Sequence, residues 1–317
     1  MTSNSESINC SLSGIYKSWY AFRAQKQASR SIITFEYNLE NNLDQLANDL
    51  QSKHYRHGGY AYRVVSDSKT RHIAIADVRD RVVHRLLYDY FVPLMDHRFD
   101  YDVWSCREGK GLEAAIKRSR TLLNRYSDAW VWRGDVSKFF DSVSHEKLMQ
   151  IMSRYVKDAN SIAILQEVIN SYKTSPSTGI AIGNLTSQIL SNVYLNEFDR
   201  FARHRIKPLG YLRYGDDFIL LLPTQMLAFQ AQAVSIDFLD TELSLNIHAR
   251  NNIVIPARSG LHFLGINLFT AGTSIQARTW RRMERRLDIT NQASYQGLVN
   301  KVGSVKQKRE FPWIRLS

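Results

Sequence analysis

Apolar positions along this chain change period repeatedly, and the changes mark its elements. Leu39, Leu43, Leu46 and Leu50 recur at helical spacing and predict an amphipathic helix. Residues 60–65 and 72–76 read as paired strands joined by the charged turn Asp67-Ser68-Lys69-Thr70-Arg71. Val82, Val83, Leu86, Leu87 and Tyr90 form the apolar face of a helix over about 78–90, which Pro93 is expected to end or kink. Further helices are expected over about 112–125, after Ser144 as N-cap, over 159–171 and 184–204, and from Pro223-Thr224 to about 243. Residues 129–133 form a short apolar strand running into Gly134-Asp135, and 253–255 and 261–268 read as strands. Residues 1–12 are polar and expected to fray, while 278–317 are strongly basic and predicted to be helical in their first half. No internal repeat or low-complexity linker interrupts the pattern. Strands alternating with helices, together with an antiparallel hairpin, predict an α+β fold.

The most informative hairpin carries Tyr214-Gly215-Asp216-Asp217 between Gly210-Tyr211-Leu212-Arg213 and Phe218-Ile219-Leu220-Leu221-Leu222. Two neighbouring aspartates repel, and a cation lets both stay ionised. Mg²⁺ suits such a place, since it takes carboxylates, waters and substrate phosphates. The bland alternative is a solvated acidic turn. Asp135 directly follows an apolar run, as a carboxylate held at a strand end would. With Asp216 and Asp217 it completes the carboxylate set that a two-metal site uses for in-line displacement.

Composition narrows the partners. The 317 residues suffice for one large domain or two to three lobes, and 44% are hydrophobic, which excludes global disorder. Forty-two basic against 30 acidic residues leave +12, favouring a polyanionic partner, nucleic acid before anionic membrane. No membrane span is expected, and the first residues lack the basic start and apolar core of a signal peptide. Cys10 and Cys106 form no metal-ligand cluster and are expected as buried hydrophobes in a reducing cytoplasm.

From about Leu39 to Phe269 the order of these segments resembles the reverse transcriptase family, and above all its bacterial members. The resemblance implies a right-hand polymerase: an N-terminal extension (1–38), fingers (39–128), an antiparallel palm with some fingers elements (129–269) and a short basic helical thumb (270–317). Asp135 matches the family's strand-end aspartate, and Asp216 and Asp217 match its aspartate pair. The match implies that all three are catalytic and hold two Mg²⁺, or Mn²⁺ in substitution, with the Val136 carbonyl completing the shell. Phe140, five residues after Asp135, matches an aromatic steric gate against the ribose 2′-hydroxyl; ordinary core packing is the alternative.

The same resemblance extends to the contacts with nucleotide and nucleic acid. Ser68–Ile73 followed by Asp77–Val83 looks like the family's fingers block, in which Lys69 and Arg71 would grip the triphosphate; a solvated turn is the alternative. Ser105–Gly111, with Arg107, matches a loop near the template. Leu261–Gly265 resembles the primer-grip hairpin, with Phe263, Leu264 and Gly265, although a plain core strand would read alike. In Gly179–Gln188, Ile182-Gly183 and Ser187-Gln188 stand where most bacterial members have Gln-Gly and Ser-Pro. This variant resembles the diversity-generating retroelement branch, whose enzymes copy a template RNA with frequent errors opposite adenine. It makes Ile182, Gly183, Ser187 and Gln188 candidates for fidelity and template contact, with Gln188 also beside the nucleotide. A polar helix start capped by Asn184 or Ser187 is the alternative.

Some positions depart from the pattern. The diversity-generating branch usually has Met where Gly215 stands, and Asn251 occupies the place of a lysine late in the fourth palm motif. The region after Phe269 is short, and no endonuclease, maturase or RNase H segment is expected.

The expected activity is RNA-directed DNA synthesis from a template RNA, a primer and dNTPs. A template-repeat or structured non-coding RNA and a small accessory protein or oligomer are the implied partners. An antiviral defence-associated reverse transcriptase is the close alternative. An RNA-dependent RNA polymerase would carry Asp where Phe140 stands, and an inactive nucleic-acid-binding protein has no need of the three aspartates.

Overall fold

The computed structural model of the protein describes residues 7–24, 26–66 and 70–314. The first half of the chain forms α1 (Leu12–Arg23), α2 (Arg30–Tyr37), α3 (Leu39–Gln51), β1 (Tyr60–Ser66), β2 (Thr70–Ala76), α4 (Val78–Met95), α5 (Leu112–Arg125), β3 (Trp130–Asp135), α6 (Phe139–Ser142) and α7 (His145–Ser153). Then follow α8 (Ala159–Asn170), α9 (Leu185–Phe201), β4 (Gly210–Tyr214), β5 (Asp217–Leu222), α10 (Gln225–Leu243), β6 (Ile253–Pro256), β7 (Leu261–Phe263), β8 (Ile266–Leu268), β9 (Thr273–Ile275), α11 (Ala277–Arg286), α12 (Gln292–Val302) and α13 (Val305–Ile314). The fold is α+β, with antiparallel sheets packed on helices. The chain divides into two compact units: Met1–Asp100 with Ser137–Arg200 and Phe238–Asn246, and Tyr101–Val136 with Phe201–Asp237 and Ile247–Ser317.

The second unit is built on a four-stranded antiparallel sheet in the order β4-β5-β3-β6. Its central strand β3 is buried on both faces, which is why residues 129–132 read as a continuous apolar run rather than an alternation. On one face Val131, Leu212, Ile219 and Leu221 pack with Leu122 and Leu123 of α5, with Phe263 and with Met283, Val299 and Phe311 of the last three helices. On the other, the buried rings of Trp132 and Phe218 meet edge to face with centroids 5.1 Å apart. Gly134 lies beneath that ring; a Cβ there would fall 2.4 Å from Phe218 Cζ, so only glycine fits. β7, β8 and β9 form a separate three-stranded antiparallel sheet in the same unit.

The first unit carries the β1–β2 hairpin and most of the remaining helices. The segment ahead of α9 bonds to β2: the Ala74 amide donates to the Ile182 carbonyl at 3.0 Å, and the Asn184 side chain donates to the Ala74 carbonyl at 3.0 Å. Beneath it lies a buried polar cluster. Asp80 accepts from the Tyr55 hydroxyl at 2.8 Å and the Gly58 amide at 2.9 Å, while His84 Nδ1 meets Thr186 Oγ1 at 2.6 Å and His84 Nε2 meets His57 Nε2 at 3.2 Å.

Burial, reinforced by the charges of His57 and Arg81, pushes His84 down to about 3. The unfolded imidazole binds a proton below about 6.5 while the folded one does not, so folding loses stability as pH falls through that range. Urea denaturation at pH 7.5 and 5.5 is expected to differ by about 1.4 kcal/mol on account of this group. The His84→Gln chain should show a shallower dependence, and an identical slope would contradict the assignment.

Several sequence expectations are corrected. Pro93 does not stop α4, which runs to Met95, because the fully buried Phe91 and Met95 hold the final turn despite the missing amide. Residues 8–10 are docked rather than frayed: Ile8 and Cys10 are buried, and the Ile8 amide donates to Ser161 Oγ at 2.9 Å. Residues 12–37, read only as an extension, form α1 and α2. Cys10 is buried, its thiol pushed up to about 11, but Cys106 is exposed. The C-terminal region is helical well beyond its first half, since α11, α12 and α13 each bury apolar residues in the core. Among the described residues no helix is long and apolar enough to cross a membrane.

Candidate active site

The end of β3 meets the turn between β4 and β5. Backbone pairing sets Asp135 directly opposite Asp217, and Tyr214 opposite Asp217 across the hairpin, so Gly215 and Asp216 form its tip. Gly215 has φ +65, the left-handed backbone a two-residue hairpin turn uses, and a Cβ there would meet open space. Larger residues at this position are therefore opposed by backbone strain rather than by crowding.

Hydrogen bonds fix the turn from several sides. The Gly215 amide donates to Ser105 Oγ at 2.8 Å, and fully buried Arg213 donates through Nη1 to the Gly215 carbonyl at 3.0 Å. The Val136 amide donates to the Asp216 carbonyl at 3.1 Å, joining strand end to turn. Segment 102–105 is itself laid along β4: the Arg213 amide donates to the Asp102 carbonyl, and the Trp104 amide to the Arg213 carbonyl, both at 2.9 Å. The buried Asp102 carboxylate accepts from Arg118 at 2.7 and 2.9 Å and from Arg203 at 3.2 Å. Arg107, in the loop that follows, is half-buried, and its Nη1 donates to the Val103 carbonyl at 3.3 Å.

The carboxylates differ in their company. Asp217 receives both Nε and Nη2 of Arg133, at 2.9 and 2.8 Å. Burial raises its carboxyl to about 6, and the charges of Asp135 and Asp216 push the same way, against the bonds and charge of Arg133. It is therefore ionised and paired near pH 7. Asp135 Oδ2 accepts from Asn251 Nδ2 at 2.5 Å. Residues 249–251 form a 3₁₀ turn, which brings Asn251 round to Asp135. Asn251 thus contributes a neutral donor at the place where a lysine was expected.

Among the described residues no group of three or more His, Cys, Asp or Glu side chains converges as a ready-made metal cage. The oxygen donors nevertheless fit Mg²⁺, which is held by one or two carboxylates and completes its shell with waters and phosphates. The carboxylates of Asp135, Asp216 and Asp217 and the Val136 carbonyl are the oxygen donors that this end of the sheet could offer to it.

The remaining sequence candidates fall in both units. In the first unit Phe139 is buried and Phe140 half-buried, their rings edge to face at 5.4 Å. Left-handed Lys138, at φ +47, turns the chain into this short helix. Core packing is thus served by Phe139. Ile182 is half-buried, Gly183 and Gln188 are exposed, and Ser187 is buried. Gly183 has φ +101, and a Cβ there would lie 2.5 Å from Ile73 Cγ2. Asn184, just ahead of α9, donates through Nδ2 to the Ala74 carbonyl. Arg71 is exposed on β2, and Lys69 lies outside the described residues.

In the second unit Phe263 is fully buried, and Leu264-Gly265 form the two-residue turn between β7 and β8. Leu264 has φ +52 and Gly265 φ +80. A leucine held left-handed is strained, and such strain concentrates at ligand clamps and active sites. Sequence reasoning missed Arg133, although its position two residues before Asp135 puts both side chains on one face of the strand. It also missed Ser105 as the partner of the Gly215 amide, a contact with no local signal.

A profile of the reverse transcriptase (RNA-dependent DNA polymerase) family matches residues 64–268. The chain belongs to that family and is an RNA-directed DNA polymerase of right-hand fold. Protein YkfC of Escherichia coli K12 is 26% identical over 271 residues, covering 71% of this chain and 71% of its own length. Nuclear intron maturase 1, mitochondrial, of Arabidopsis thaliana is 26% identical over 145 residues, 45% of this chain and 19% of its own length. The chain thus spans only about a fifth of that intron relative. An apo telomerase structure from Candida tropicalis, truncated from the C-terminal domain, aligns with a TM-score of 0.48 at 11% identity, covering 75% of this chain and 60% of that one.

Proposed function

We propose that this polymerase makes cDNA on an RNA template by two-metal nucleotidyl transfer, within a diversity-generating retroelement or a similarly compact bacterial system. The observation that carries the chemistry is the register that sets Asp135 opposite Asp217 with Asp216 at the adjoining tip. When bound, two Mg²⁺ activate the primer 3′-hydroxyl and neutralise the charge of the dNTP triphosphate, with Mn²⁺ as a possible substitute. Asp135, Asp216 and the Val136 carbonyl would hold them, with Asp217 alongside. The residues fixing the turn keep these groups in place before substrate arrives.

Phe140 excludes a ribose 2′-hydroxyl, and Arg71 with Lys69 binds the triphosphate. Ile182, Gly183, Ser187 and Gln188 border the templating pair, and Arg107 the template. Phe263, Leu264 and Gly265 hold the primer end, where the strained Leu264 turn supports a clamping role. We assign fingers to 39–128, palm to 129–269 and thumb to 270–317. The arginines of α11 in that thumb suit a phosphate backbone.

The Ile182-Gly183 and Ser187-Gln188 variant favours the diversity-generating reading, with a template-repeat RNA and a small accessory protein or oligomer in the cytoplasm. The second reading is an antiviral defence-associated enzyme working with a structured non-coding RNA, kept open because Gly215 stands where the diversity-generating branch usually has Met. Sequencing the cDNA made in cells together with the RNA that co-purifies separates them. Errors opposite adenine within a repeat are expected from the first reading. Repetitive or host-unrelated cDNA would overturn it in favour of the second.

A further inference from the structure

A buried strand is a costly place for an arginine, and Arg133 occupies one with only 8% of its surface exposed. All three of its side-chain nitrogens are engaged. Nε and Nη2 donate to the two carboxylate oxygens of Asp217 at 2.9 and 2.8 Å, and Nη1 donates to the His262 carbonyl at 2.5 Å. The fork occupies both carboxylate oxygens at once. These bonds join β3 and β5 to the middle of β7 at His262, one residue before Phe263, which leads into the strained turn.

We propose that Arg133 is a positioning residue of the polymerase site: it holds Asp217 as its counter-ion and clamps it to the β7–β8 hairpin, leaving the metal to Asp135 and Asp216. The proposal rests on the reading of Asp135 and Asp216 as the metal-holding pair. Without a counter-ion the Asp217 carboxylate would repel Asp135 and Asp216, and the guanidinium offsets that repulsion. The same side chain fixes the spacing between the aspartates and the hairpin assigned to the primer. A lysine could supply the charge but neither the fork nor the simultaneous bond to His262.

The test measures Mn²⁺ binding to the full-length chain, without nucleic acid, from the electron paramagnetic resonance signal of free Mn²⁺. Asp135→Asn and Asp216→Asn are each expected to weaken binding by about tenfold or more. The charge-balanced double variant Arg133→Gln/Asp217→Asn is expected to bind as the native chain does. Loss in that double variant equal to the loss in Asp216→Asn would make Asp217 a ligand and overturn the proposal. Native binding in both Asp135→Asn and Asp216→Asn would instead overturn the underlying metal reading. Arg133→Lys supplies an independent arm should the double variant fail to fold. It should retain Mn²⁺ affinity but raise the KM for primer–template more than it lowers kcat, and unchanged kinetics would overturn the clamp.

Discussion

Asp216→Asn is expected to lower RNA-templated primer extension by on the order of a thousandfold, about 4 kcal/mol of transition-state stabilisation, while the chain remains folded. The substitution keeps the size and shape of the side chain and removes only its charge. The backbone bonds that define the turn come from Ser105, Arg213 and Val136 and do not involve the altered carboxylate. Loss of folding is therefore not the expected route to loss of activity. Primer extension with a homopolymer RNA template, alongside a thermal melt, separates the two. A folded Asp216→Asn chain retaining more than about a tenth of native kcat would remove Asp216 from the chemistry.

Phe140→Ala is expected to reduce the preference for a dNTP over the matching NTP by roughly 10- to 200-fold, the range that differences in pocket shape can supply. Exclusion of one hydroxyl by a ring is a steric effect, so the gain should lie in ribonucleotide kcat/KM while dNTP use changes less. Phe139 is the buried member of the aromatic pair, and the half-buried Phe140 is not required to fill the core. The measurement is kcat/KM for dCTP and CTP on one RNA template. An unchanged ratio with a lowered melting temperature would return Phe140 to simple packing.

Element types were largely legible because they depend on near neighbours. The period of Leu39, Leu43, Leu46 and Leu50 survives as α3, and the β1–β2 and β4–β5 hairpins form where turn chemistry predicted them. Failures arose where burial overruled a local rule, as at Pro93, or where a short polar segment docked through Ile8 and Cys10. The placing of Asn251 was not legible for a related reason: residues 249–251 lie in a short turn. The direction of that 3₁₀ turn is set by bonds from His248 and Asn251 to Asp135, which local sequence does not encode.

By itself the sequence determined the chemistry on offer: carboxylates at a strand end and a hairpin tip, an aromatic five residues on, and a basic chain suited to nucleic acid. Each of these is a property of residue type and short spacing. Only the tertiary structure decided how the charges are shared. Arg133 reaches Asp217 across 84 residues of sequence, and Asn251 reaches Asp135 across 116. Those contacts depend on strand register and on the burial of Arg133 and Asp135, which no local pattern specifies. The folded sheet therefore sets three similar aspartates in different company, Asp217 paired with an arginine, Asp135 bonded to an amide and Asp216 half-buried at the turn tip.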